Sequence, residues 1–398
     1  MQIARLTGHG DGRLICSPQQ ANIHLCIQYN DPMKIIFLSI LCMIGGFVGQ
    51  SFTRPAVEQL EYEASVAWNE TKLAEAEQLA RQALGRSENS TRAKEILSKL
   101  AGPLQRPEIE LALVIGNQNP SEFTERQFTE AGRIAMYGNL FRIADELFSQ
   151  GITKYPRSQV LQRQYASLPG LQLNAEEMQI RLIQWSKQGA LPKDLVVMFL
   201  GLASLDSRGA SSAENWLKAS LSADATDLES RLGLGRCFLA MGRYQECIQL
   251  LENHCHDPRA AVMQAVAHAT ERDLAAAEKL LPANEPTVMK AEFWHATGLI
   301  CIEQEKWDDA EHAFQKAVLA RPLNKLFRSR YCEILRRLKK NEEEMIQAEK
   351  LEKVIRIAQA SINPLSVSDR ASLLSIAQMC IEVDAADVAP LVTAVAGK

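Results

Sequence analysis

Four side chains of metal-ligating type lie together in the run His254-Cys255-His256-Asp257. A tetrahedral zinc site needs ligands that converge on one point, whereas neighbouring residues at a helix end point in different directions. The chain contains no CxxC pair that would complete such a set. Histidine is favourable at a helix C-terminus because the imidazolium interacts with the helix dipole. We therefore expect a helix end here and no metal site.

The remaining reactive side chains also fit packing better than catalysis. Most of the six cysteines that follow residue 51 fall on apolar helix faces, where a free thiol behaves as a small hydrophobe. We expect thiols rather than a disulfide framework at Cys237, Cys247, Cys255, Cys301, Cys332 and Cys380. The sequence has no phosphate-binding loop ending in Gly-Lys-Ser or Gly-Lys-Thr, no His-Glu-x-x-His and no Gly-x-Ser-x-Gly. The prediction is a protein that is not an enzyme and has no cofactor.

The elements that would have to position any site are helices. Hydrophobic residues make up 46% of the chain but aromatic residues only 6%. Aromatic and β-branched residues are enriched in strands, so this alanine- and leucine-rich mixture favours an all-α fold. The formal net charge is −4, and this lack of basic excess argues against a nucleic-acid partner.

One helical hairpin can be read directly from residues 293–324. Apolar residues recur at helical spacing as far as Ile302, and a polar break follows. A second helix is expected from Trp307 to Leu319. Pro322 ends the pair, because proline cannot continue a helix interior.

The spacing of this hairpin recurs along the chain with a period of about 34 residues. If Gly298 is the eighth position of a unit, then Trp294, Ala310, Phe314 and Pro322 occupy the signature positions of the tetratricopeptide repeat. The eighth position is small in all nine candidate units: Ala64, Ser98, Gly132, Ala166, Gly201, Gly235, Ala265, Gly298 and Cys332. Two helices of a hairpin cross closely there, and a bulky side chain would overpack the crossing. The chain resembles the tetratricopeptide repeat family over roughly residues 56–358.

That resemblance implies a right-handed superhelical solenoid of antiparallel helix hairpins. Residues 52–124 would form degenerate repeats, residues 125–358 the solenoid, and residues 359–398 a C-terminal helical cap. The predicted repeat-packing residues are Gly132, Ala144, Gly201, Gly235, Trp294, Gly298, Ala310, Phe314 and Pro322.

Four units depart from the family pattern, among them a short unit from Pro258 to Pro286 and a last unit with Glu344 at the twentieth position; the other two bear most on the fold. One has Glu110 at the twentieth position and prolines at 103 and 107, which puts its second helix in doubt. Another has Met178 and Trp185 where small residues are usual.

The family usually binds peptides in a groove lined by the first helices of its hairpins, and the resemblance transfers that expectation. The groove positions around Gly132 hold Arg126, Thr129, Arg133 and Tyr137, and Arg163 follows in the next unit. Arginine binds carboxylates bidentately and stacks on planar groups. These five residues are the predicted partner-binding site, unless they are ordinary solvated surface. The Lys and Asn clamp of the chaperone-binding members is absent.

The N-terminus predicts a targeting segment. Residues 1–32 show no sustained apolar period, whereas residues 35–48 form an apolar run behind Met33. A spanning helix needs about 20 apolar residues, so this shorter run better matches a secretory signal. We expect residues 1–32 to be untranslated or disordered and residues 33–51 to be a signal peptide or membrane anchor. The protein would then be exported or membrane-anchored; an internal buried helix at this place would leave it cytoplasmic.

Three functional hypotheses follow. The first is a scaffold that holds a protein or peptide partner in the concave face. The second is a structural component of an envelope complex that assembles with itself. The third, which the sequence favours least, is an enzyme with an unrecognised site within the C-terminal segment 359–398. The basic run from Lys325 to Lys340 is read as a solvated helix face, with an acidic partner as the alternative.

Overall fold

The computed structural model describes residues 56–87, 90–101, 111, 120–204, 207–362 and 369–397, all within the unit Phe52–Lys398. These ranges contain α-helices and two short 3-10 turns, Pro120–Glu122 and Glu252–His254, and no strand. The helices are α1 Val57–Asn69, α2 Leu73–Arg86, α3 Thr91–Ala101, α4 Glu125–Tyr137, α5 Phe141–Lys154, α6 Gln159–Leu171, α7 Ala175–Ser186, α8 Lys193–Ala203, α9 Ser207–Ala223, α10 Leu228–Ala240, α11 Tyr244–Leu251, α12 Pro258–Thr270, α13 Leu274–Leu280, α14 Lys290–Glu303, α15 Trp307–Ala320, α16 Lys325–Arg337, α17 Asn341–Ile362, α18 Arg370–Glu382 and α19 Ala389–Ala396. The all-α prediction is confirmed.

Most helices pair as the repeat pattern predicts, which confirms the solenoid of antiparallel hairpins. Neighbours in sequence pack together in the pairs α1–α2, α4–α5, α6–α7, α10–α11, α12–α13, α14–α15, α16–α17 and α18–α19. Seven hairpin turns place a residue in the left-handed region two positions before the second helix: Thr71, Asn139, Leu173, Gly242, Arg272, Glu305 and Lys339. This common turn reverses the chain within a few residues, so each second helix returns along the first.

The eighth-position glycines lie where the two helices of a hairpin cross. A Cβ added to Gly298 would lie 2.8 Å from the ring of Phe314, sixteen residues further along. The same offset joins Gly132 to the ring of Phe148. Both rings are completely buried and have little room to move, so the crossing demands a residue without a Cβ.

Gly201 does not have the predicted role. Helix α8 packs against α6, α7, α17 and α19 instead of forming a hairpin with α9. A Cβ at Gly201 would lie 3.1 Å from Oγ of Ser361, near the end of α17. Helix α9 packs against α10 instead, and the indole Nε1 of Trp216 donates to the carbonyl of Leu171 at 2.7 Å. The two helices of this repeat unit, α8 and α9, therefore do not pair with each other, and α8 packs against the C-terminal helices.

The partners of α8 come from the C-terminal end of the chain. Helices α6, α7 and α8 share one hydrophobic core with α17, α18 and α19. Met178 and Trp185 are fully buried in that core. The two large residues that break the repeat pattern thus fill a space that an ordinary repeat does not have. The last helices pack against the middle of the array as well as against its final hairpin.

Arg328 joins the last hairpin to the C-terminal helices from a fully buried position on α16. Its guanidinium donates to the carbonyls of Val383 at 2.9 Å and Pro322 at 3.2 Å and to Oε1 of Gln347 at 2.5 Å. The carboxylate of Asp384 lies 3.7 Å away. Burial lowers the pKa of Arg328, and these acceptors offset that cost.

The N-terminal predictions fall largely outside the described residues. Helices α1, α2 and α3 share a core of their own. Residues 1–51, which include the predicted signal or anchor, are not among the described residues, and neither are Glu110 and the prolines at 103 and 107. Within the described ranges, no helix combines the length and apolar character needed to cross a membrane.

Alanine at Gly233 is expected to destabilise the array by about 1–3 kcal/mol. A Cβ there would lie 2.6 Å from the backbone carbonyl oxygen of Gln172, which cannot rotate away as a side chain would. The gain in helix propensity, about 1 kcal/mol, does not offset this clash. Urea denaturation measures the change, with the exposed Gly209→Ala as the matched control that should not destabilise. A Gly233→Ala protein as stable as the natural one would contradict the close approach of α10 to α6.

Candidate partner-binding groove

The predicted site contains an open cavity of ≈600 Å³ along α4 and α6. We call this the α4–α6 groove; its lining consists of Glu125, Arg126, Thr129, Glu130, Arg133, Val160 and Gln164. Three of the five residues predicted from the sequence, Arg126, Thr129 and Arg133, therefore come together in one place.

The start of α4 fixes which of its faces lines the groove. Thr124 and Gln127 form a capping box, with the backbone N–H of Thr124 donating to Oε1 of Gln127 at 2.9 Å. From that start, residues 126, 129, 130 and 133 share one stripe at helical spacing. The opposite face carries buried residues such as Phe128 and packs against α5.

The charged residues of the α4–α6 groove alternate in sign along α4, and they differ in whether they form hydrogen bonds or ion pairs within the chain. Glu125 accepts a hydrogen bond from Oγ of Ser158 at 2.6 Å and thereby ties α4 to the start of α6. The side chain of Arg126 is 91% exposed, and its Nε lies 4.0 Å from Glu130. Arg133 is exposed and makes no ion pair with any residue that the structure describes. Both guanidinium groups can therefore accept a new anionic partner at little cost.

The other two predicted residues lie outside the groove lining. Arg163 faces α8, where its Nη2 lies 2.5 Å from Oδ2 of Asp194. Tyr137 is 75% exposed and lies one helical turn beyond Arg133 at the end of α4. The structure thus separates the closely paired Arg163 from the weakly paired Arg126 and from Arg133, which has no ion pair among the described residues, a distinction that sequence spacing does not contain.

Two inner-face residues further along the chain, Arg236 and His295, are packed rather than open. Burial lowers the pKa of Arg236 to about 10, and its Nη1 donates to the carbonyl of Gln172 at 3.1 Å. His295 lies against the rings of Phe314 and Phe327, and burial lowers its pKa to about 3. The neutral imidazole is a core side chain and does not face a partner.

Sequence reasoning missed a second, polar cavity of ≈380 Å³ that extends from α5 to α12. In it Arg181 bonds Asp145 and Glu177, and Arg142 bonds Asp224 at 2.8 Å. Burial raises the pKa of Asp224, but hydrogen bonds from Thr226 and Arg142 outweigh it and leave the pKa low. The charged residues that line this cavity are already paired with one another. The cavity is therefore a poorer candidate for binding than the α4–α6 groove.

Comparison with known proteins agrees with the repeat register. Residues 297–359, from α14 to α17, match the tetratricopeptide repeat family. This part of the chain carries tetratricopeptide repeats. No curated protein matches it.

Several solved structures align with this tetratricopeptide array. The APC/C hetero-tetramer Cut9-Hcn1 aligns over 90% of this chain and 94% of the matched chain, at 9% identity and a TM-score of 0.35. A tetratricopeptide repeat protein from Parabacteroides merdae aligns over 66% and 91%, at 15% identity and a TM-score of 0.27. The P58(IPK) TPR domain aligns over 72% and 99%, at 11% identity and a TM-score of 0.23.

The basic run of the final tetratricopeptide hairpin is partly neutralised within the chain. Arg330 pairs with Glu333 at 2.8 Å and Arg336 with Glu344 at 2.6 Å. The guanidinium of Arg337 stacks 3.8 Å from the centroid of the Trp307 ring. Lys340 binds Glu311, and Arg328 is buried; the run therefore offers few uncommitted cations to an acidic partner.

The reactive side chains of the tetratricopeptide array lie where packing predicts them. All six cysteines after residue 51 are free, and only Cys255 is exposed. Burial raises the pKa of Cys237, Cys247 and Cys380 to about 12, which makes these thiols unreactive near neutrality. Among the residues that the structure describes, no three His, Cys, Asp or Glu side chains are placed to hold a metal ion.

Proposed function

We propose that the protein is an interaction scaffold that holds a segment of a partner protein in the α4–α6 groove. The observation that carries the proposal is the pair of exposed guanidinium groups, Arg126 and Arg133, beside an open cavity. A partner carboxylate would gain charge-assisted hydrogen bonds there without breaking a strong existing pair. Tetratricopeptide proteins are commonly scaffolds of this kind and are typically not enzymes.

Affinity capture from the natural extract tests the proposal. The natural chain is compared with Arg126→Ala/Arg133→Ala and with the control Arg92→Ala/Arg157→Ala, which removes two exposed arginines outside the groove. Hydrogen bonds to charged groups contribute about 1.5–3 kcal/mol each, so the groove variant should lose at least tenfold in affinity. A partner held equally by all three proteins would sink the groove as the site.

Self-assembly is the competing function, and sedimentation separates it from the scaffold. A mass that rises with concentration from a monomer would favour a structural component of an envelope complex. A monomer at all concentrations, together with arginine-dependent capture, would favour the scaffold. An enzymatic site within the C-terminal segment 359–398 has little support, because helices α18 and α19 contribute mainly to a packed core.

We also propose that the protein is exported or membrane-anchored through residues 33–51. The support is the apolar run behind Met33, which has the length and flanks of a secretory signal. N-terminal sequencing of the protein from its natural source tests this. A mature chain that retains residues before Met33 would contradict both the untranslated segment 1–32 and a signal at residues 33–51.

A further inference from the structure

We infer that the occupant of the α4–α6 groove is an extended, polyproline II segment with two acidic residues three positions apart. The inference rests on the proposed function and adds the chemistry of the partner. Its evidence is the order of charges along α4, where Arg126, Glu130 and Arg133 share one stripe with alternating sign.

The lining of the groove favours an extended segment over a helix. A docked helix buries an apolar stripe in an apolar groove and has no free backbone groups along its side. Here Val160 is the one aliphatic side chain in the lining, and the guanidinium groups and the amide of Gln164 are hydrogen-bond donors. An extended backbone supplies the carbonyl acceptors that these donors need, whereas a helix does not.

The spacing of the charges favours polyproline II over a β-strand. Arg126 and Arg133 are seven residues apart, which is about 10.5 Å along a helix. In polyproline II, residues three apart lie on the same side and are separated by about 9.3 Å. In a strand, same-face residues lie about 6.7 or 13 Å apart, and both distances differ more from 10.5 Å than the polyproline II spacing does.

Glu130 sets the spacing by repulsion. It lies four residues from Arg126, about 6 Å along α4. A second acidic residue two positions from the first would be about 6.2 Å away in polyproline II, level with this carboxylate and on a different side of the segment from the first acid. Three-residue spacing places the second acid on Arg133 instead. Tyr137, exposed one turn further, provides an aromatic face for a following proline.

Three labelled heptapeptides test the inference by fluorescence anisotropy on the full chain. Pro-Glu-Pro-Pro-Glu-Pro-Pro has the inferred spacing, Pro-Glu-Pro-Glu-Pro-Pro-Pro has the same composition at two-residue spacing, and Pro-Lys-Pro-Pro-Lys-Pro-Pro reverses the charge. We expect the first to bind about tenfold more tightly than the second, since one charged contact is lost, and the third not to bind. Arg133→Gln should abolish the preference between the first two.

Glu130→Gln supplies the sharper test, because it should strengthen binding of the two-residue peptide more than that of the three-residue peptide. Equal binding of the two acidic peptides, or binding of neither, would overturn the inference. Neither result removes the proposed function, since a natural partner whose capture depends on Arg126 and Arg133 would still establish the groove. Loss of both capture dependence and peptide binding would remove both.

Discussion

Replacing Arg328 by alanine is expected to lower the free energy of unfolding by about 3–5 kcal/mol. The guanidinium is completely buried and donates to Val383, Pro322 and Gln347, which lie in three separate parts of the chain. Alanine would leave these acceptors without a donor and open a cavity between α16 and the turn that joins α18 to α19. Urea denaturation measures the loss.

Two further variants separate the buried network from the charge itself. Arg328→Lys keeps the positive charge, but one nitrogen cannot reach three acceptors, so most of the loss should remain. Arg330→Ala removes a surface arginine of the same helix and its pair with Glu333, a change worth about 0.2–1 kcal/mol. If Arg328→Ala were as mild as Arg330→Ala, Arg328 would not hold the C-terminal helices in place.

Much of the array could be predicted because its contacts are local. Several hairpins cross at residues sixteen positions apart, as Gly298 and Phe314 do, and the same offset joins Gly132 to Phe148. A small residue at one position and a ring at the other leave a periodic trace in the sequence. The prolines and capping residues add a second trace at the ends of the helices.

The return of the C-terminal helices could not be predicted, because its contacts are distant and not periodic. Gly201 occupies the eighth position of its unit, as the crossing glycines of other hairpins do. Its neighbour is nevertheless Ser361, far along the chain. A small residue fits either neighbour, so the repeat register alone gives the wrong partner. The large residues Met178 and Trp185 were the available signal, since a repeat that tolerates bulk there must face something other than its usual neighbour.

The groove shows the same limit for charged residues. The sequence spacing correctly predicted that Arg126 and Arg133 share one face of α4, because helical periodicity determines which residues share a face. It could not tell that Arg163 is bound to Asp194, since an ion pair between two units depends on how those units stack. The structure was therefore needed to show which charged side chains are exposed and which are ion-paired.

Trp185→Ala is expected to cost about 3–5 kcal/mol, the range for removing a fully buried aromatic side chain. The indole fills the core that α7 and α8 share with α17, α18 and α19. Its loss should therefore loosen the C-terminal helices more than the hairpins between α9 and α15. Hydrogen exchange resolved along the chain distinguishes these regions.

Phe314→Ala is the matched control, because Phe314 is equally buried but belongs to a different core. It should lose similar stability while increasing exchange in α14 and α15. Trp185→Phe should cost less than about 1.5 kcal/mol, since it keeps a ring and removes an indole N–H that finds no partner among the described residues. If Trp185→Ala and Phe314→Ala increased exchange in the same helices, the middle and the end of the chain would not share a separate core. If exchange increased in different helices in the two variants, the C-terminal helices would share a separate core with α7 and α8, in agreement with their common hydrophobic cluster.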